Sequence, residues 1–84
     1  MKKELFSILN DERENIDFLI QLGVVSPSLS RNLDIYSEYL RLRSKGNYKE
    51  DCYLIISENF KPKVSLGTVK KVVLALSKQV KLPN

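Results

Sequence analysis

The side chains of this sequence best suited to chemistry are lysines and hydroxyls near its end. Lys61, Lys63, Lys70 and Lys71 surround Ser65 and Thr68, and from Lys61 onward there are six Lys and no Asp or Glu. Ammonium groups neutralise phosphates. A Ser at a helix start leaves backbone N–H groups pointing outward, and with the helix dipole these hold an anion. The chemistry on offer is therefore phosphate binding. Catalysis is poorly served. The absence of His removes Ser–His, Cys–His and imidazole acid–base sets. The single Cys52 excludes an internal disulfide framework and the usual zinc ligand sets. The lysines are too exposed by pattern for a depressed pKa, and so short a helical chain has little room for a pocket around paired carboxylates. Asp11, Glu12, Glu14 and Asp17 lack the loop spacing of a calcium site and read as a solvated face. No enzyme activity, metal, cofactor or small-molecule substrate is expected.

The net charge of +4 over 84 residues is unevenly placed. Residues 1–40 carry four cations against seven carboxylates, a balance of −3; residues 41–84 carry ten against three, a balance of +7. This division points to a basic working half and an acidic half with another task. Hydrophobic content of 43% with 29% charge suits one folded domain, residues 1–84. The expected location is cytoplasmic, nucleoid-associated in a bacterium, because a small secreted domain usually needs disulfides. The apolar stretch after Lys2 and Lys3 ends at Asn10-Asp11-Glu12, too short for a signal core. The uncharged run Phe18 to Ser30 is too short to span a bilayer and contains Gln21 and Pro27.

The periodicity that must position these residues is helical almost throughout, giving an all-α fold of four to five short helices. An acidic N-terminal segment, residues 1–25, reads as one helix or two over Lys2 to Leu22. Phe6, Leu9, Ile16, Leu19, Ile20 and Leu22 form its stripe, Asn10 is a candidate cap and Gly23 a stop. A second helix starts at Ser26 as N-cap with Pro27 at its first helical position. Its apolar face holds Leu29, Leu33, Tyr36 and Leu40, widened by Ile35, Tyr39 and Leu42, and Gly46-Asn47 end it. A third helix covers about Tyr48 to Phe60, with Asn47 as cap, Glu50 completing a capping-box-like start, and Cys52, Ile55, Ile56 and Phe60 inward with Tyr48. Tyr53 is off that stripe and is expected to be the most exposed tyrosine. Lys61-Pro62-Lys63 breaks the helix. The fourth starts at Ser65 and reaches Lys78 to Lys81, with Val69, Val72, Val73, Leu76 and Val80 on one stripe. Alternation fails there, which argues against a strand.

The stretch from Tyr48 to Val73 resembles a helix-turn-helix DNA-binding unit, and with the helix before it the tri-helical, homeodomain-like type of transposases, resolvases and small regulators. The unit occupies residues 26–82. Ser57 matches the small residue where the two helices cross, Phe60 and Val64 the turn, Ser65 the cap of the recognition helix, and Val69, Val72 and Val73 its buried side. Ser57 to Ser65 is eight residues where about six are usual, the surplus lying at Pro62-Lys63. The resemblance implies a DNA-binding protein, a transcriptional regulator or mobile-element accessory factor, whose recognition helix, about 65–78, enters the major groove of double-stranded DNA. Leu66, Gly67, Lys70, Lys71 and Leu74 would face bases. Ser65, Thr68, Lys61, Lys63, Arg41 and Arg43 would face the backbone. The N-terminal segment would pack on the unit or form a homodimer interface.

Two alternatives remain at this level. Leu22 to Arg31 also resembles a helix-turn-helix turn, set in an acidic neighbourhood that opposes phosphate. A helical protein–protein adaptor that binds no DNA would use Phe6, Leu9, Phe18 and Leu19 as its docking face.

Overall fold

The computed structural model describes residues 2–81. It is mainly α-helical, with α1 (Leu5–Asp11), α2 (Arg13–Gln21), α3 (Ser28–Ser44), α4 (Lys49–Asn59) and α5 (Leu66–Leu76). Two short strands flank them, β1 (Lys2–Glu4) and β2 (Gln79–Lys81), paired antiparallel with Lys3 opposite Val80.

The sheet departs from the helices expected at both ends. Each strand has three residues, too few for an alternating pattern to register. The Leu5 backbone N–H donates to the Lys78 carbonyl at 2.8 Å and continues the ladder. Helix α5 stops at Leu76 because Ser77 turns on it: its hydroxyl donates to the Leu74 carbonyl, a local bond that competes with a further helical turn.

Helices α3, α4 and α5 pack mutually, and α1 lies against α3 and α5. Leu33, Ile35, Cys52, Ile56 and Val69 are sealed from solvent at the centre. Cys52 is a free, buried thiol whose pKa burial pushes up, as the apolar stripe implied. Phe6, Tyr36, Tyr39 and Tyr53 form a chain of ring contacts with centroids 4.8, 5.7 and 5.8 Å apart. Tyr53, expected to be exposed, is therefore buried. Tyr48, expected inward, is exposed, because it precedes α4 as its N-cap.

The sequence's stop signals hold. Gly23 and Gly46 take positive φ, and each closes its helix with paired bonds: Val24 N to Leu19 O with Gly23 N to Ile20 O, and Asn47 N to Leu42 O with Gly46 N to Arg43 O. The start signals hold in part. Helix α3 starts one residue later than expected, with Pro27 at the N-cap position in helical conformation, while the Ser26 hydroxyl accepts from Ser28 N. Asn47 does not cap α4; its side chain donates instead to the Leu42 carbonyl near the end of α3, which also accepts from the Asn47 backbone N–H. Asn10 does not cap α2 either. It lies inside α1, and Glu12 occupies the junction, its carboxylate accepting from Asn15 at 2.6 Å.

Helix α2 is fastened by a polar clamp. The Arg13 guanidinium donates to Asp34 at 2.8 Å and to the Ser30 hydroxyl at 2.9 Å, and Asp34 raises its pKa further. Of the face Phe6, Leu9, Phe18 and Leu19 proposed for an adaptor, Phe6 is buried against Tyr36 and Leu9 packs on the core. Only Phe18 is openly exposed.

Candidate nucleic-acid interface

Helix α5 is set by its start. Ser65 has extended backbone angles, its Oγ accepts from Thr68 N at 3.2 Å, and the same hydroxyl lies 2.9 Å from Thr68 Oγ1. A Ser cap is worth about 1 kcal/mol. Thr68 thus completes the cap. The turn before it is fixed from α4: the buried Ser57 hydroxyl donates to the Val64 carbonyl at 2.7 Å. Ser57 therefore does more than leave room at the crossing, because it also satisfies a backbone group of the long turn. Val69, Val72, Val73 and Leu76 face the core, as their spacing predicts.

Gly67, Lys71 and Leu74 share the outward face of α5 and are exposed. Nothing approaches within 4 Å of the place where a Gly67 side chain would begin, so the surface is open there. Leu66 and Lys70 stand differently. Leu66 is partly buried against the core. Lys70 leans towards α4, its Nζ 3.5 Å from a Glu50 carboxylate oxygen and 5.9 Å from the Tyr53 ring centre. Neither partner was singled out as a site residue by sequence. A signal for Tyr53 did exist: it lies four residues before Ser57, so a Ser57 turned towards α5 brings Tyr53 to the same side of α4.

The remaining cations are spread out. Lys61 and Lys63 are exposed in the turn before α5. Lys61 and Pro62 border a shallow hollow of about 450 Å³ shared with Pro27, Ser28 and Arg31 at the start of α3. Arg43 donates to the Asn47 carbonyl at 3.0 Å and closes the α3–α4 corner. Arg41 is bound to the Glu38 carboxylate, which raises the pKa of the arginine as the arginine lowers that of the acid. This pair borders a groove of about 330 Å³ with Ile55 and Asn59 of α4 and Phe60 just after it. At 3.6 residues per turn, Ile55 and Asn59 lie on the flank of α4 away from Glu50 and Tyr53. Arg41 is thus not brought beside Lys70.

The site that assembles is the capped start of α5 with the face Gly67, Lys71 and Leu74, edged by Lys70 and preceded by Lys61 and Lys63. Among the described residues no cluster of His, Cys, Asp or Glu could hold a metal ion, and no helix is long and apolar enough to cross a membrane. Comparison of the chain with protein-family models, curated proteins and solved structures gives no match.

Proposed function

We propose that this chain binds double-stranded DNA by laying α5 in the major groove, as a cytoplasmic or nucleoid-associated transcriptional regulator or mobile-element accessory factor. The observation that carries the reading is the Ser65-capped helix whose exposed face, Gly67, Lys71 and Leu74, has no protein packed over it. Lys71 reaches acceptor atoms of guanine, Leu74 meets a thymine methyl, and the open surface at Gly67 lets the backbone come close. Ser65, Thr68 and the first N–H groups of α5 meet a phosphate, with Lys61 and Lys63 beside it. Lys70 leaves the weak, exposed pair with Glu50 to reach the duplex.

A salt titration tests this. Affinity for a duplex should fall between about 50 and 200 mM salt, with a log–log slope of about −0.9 for each phosphate neutralised. Lys63→Ala should weaken all sequences alike and reduce the slope by about 1, whereas Lys71→Ala should also relax base preference. Absence of binding to any duplex at about 50 mM salt would overturn the reading.

A further inference from the structure

Helix α2 presents an unpartnered apolar ridge. Phe18 is 58% exposed, Leu22 59% and Val24, just past the helix, 70%. Glu14, Phe18 and Leu22 follow one another at i, i+4 and i+8, so the ridge is a single stripe headed by an acid. Asp11 and Asp17 are exposed carboxylates in loose pairs with Lys3 at 3.8 Å and Arg13 at 3.7 Å, Arg13 itself is turned onto α3 by its clamp, and Glu14 makes no ion pair among the described residues. The surface is apolar with an acidic rim. Two such surfaces would bring like charges together, so this ridge is badly suited to pairing with itself.

The complementary surface is on the same molecule. Leu74 of α5 is 67% exposed, with Lys71 three residues before it and Lys78 exposed just past the helix end. It is an apolar point between two ammonium groups. We propose that the α2 ridge docks the α5 face of a second copy of this chain, with Leu74 seated between Phe18 and Leu22 and Lys71 near Glu14. The inference uses the open face of α5 but not its binding of DNA. Two helices of nine and eleven residues bury less than the roughly 1,200 Å² of a stable complex, so the association is weak and fast. Since the docked α2 covers Lys71 and Leu74, self-association and any other ligand of α5 exclude each other.

Sedimentation velocity of the full chain, without DNA and up to about 1 mM, tests the docking apart from the DNA reading. Self-association that weakens as salt rises is expected, stopping at a dimer where each copy gives both its α2 and its α5 and growing further where the contact is made once. Glu14→Lys alone and Lys71→Glu alone should each weaken it about fivefold. An equal mixture of the two variants should restore it, because every lysine then faces a glutamate. Circular dichroism of each variant should match that of the parent chain, since the substituted positions are exposed. A monomer at every concentration overturns the proposal. So does a dimer that tolerates Lys71→Glu, which would place the contact between two α2 ridges or elsewhere.

Discussion

Helix α4 turns Cys52, Tyr53, Ile56 and Ser57 into the core, whereas α2, two residues shorter, buries Ile16 alone and leaves Phe18, and Leu22 at its C-cap, more than half exposed. Both begin with acids that suit a helix start, so local propensity does not separate them. Their neighbours do. Helix α4 is held between α3 and α5, so two flanks must be apolar. Helix α2 meets the edge of the bundle and is held there by Ile16 and Ile20 on the core and by the Arg13 clamp to Asp34 and Ser30. Apolar residues on its far side are surplus to the fold. That is why they are informative about partners, while the buried residues of α4 are informative only about packing.

The comparison is broken most directly by truncating one residue from each helix. Ile56→Ala should cost about 2–5 kcal/mol, because the side chain is sealed and its loss leaves a cavity. Phe18→Ala should stay within about 0.5 kcal/mol. Equal midpoints in urea denaturation would show that α2 is packed as α4 is. Ser57→Ala comes next. It removes the donor to the Val64 carbonyl, and leaving a buried acceptor unpaired costs about 1–3 kcal/mol by the same measurement.

Tyr36 lies on α3, which both regions pack against, with its ring on Phe6 of α1 and on Tyr39 of its own helix. Burial first, and then the Glu4 carboxylate, push its phenol pKa well above the ordinary value. In the unfolded chain the phenol ionises near pH 10. Above that pH the unfolded state has lost a proton that the folded state keeps, so stability falls as pH rises. The slope from this group is about 1.4 kcal/mol per pH unit between its unfolded and folded values. Tyr36→Phe should flatten the alkaline fall in thermal midpoint between about pH 10 and 11. An unchanged profile would mean that Tyr36 ionises in the folded protein as it does in the unfolded chain.

What could be read from the residues follows the same division. The stops at Gly23 and Gly46, the Ser65 cap and the Val69–Leu76 stripe are local, and each was legible because one or two residues determine it. The strands were not legible, since each finds its partner at the other end of the chain. Asn47 could serve either of two helices, and its side chain goes to the Leu42 carbonyl at the end of α3, which spacing around Asn47 does not reveal. At the candidate site, Lys71 and Leu74 followed from the helical period. The turn of Leu66 inward and of Lys70 towards Glu50 depended on how α5 crosses α4, which spacing within α5 does not contain.

The smallest effect sharpens the comparison on its basic side. Glu50 belongs to the well-packed α4, yet it is exposed and its charge opposes that of the face it adjoins. Glu50→Gln should change stability by less than about 1 kcal/mol, as exposed ion pairs do. Its effect on DNA should be larger than its effect on folding. With the carboxylate gone, Lys70 no longer exchanges one anion for another when it meets a phosphate. Affinity should then rise for all duplexes alike, and the log–log salt slope should steepen by up to about 1. If affinity rose for one sequence only, Glu50 would be orienting Lys70 towards a base rather than competing with phosphate. If nothing changed, Lys70 would lie outside the contact, and Gly67, Lys71 and Leu74 would carry the interface with the turn lysines alone.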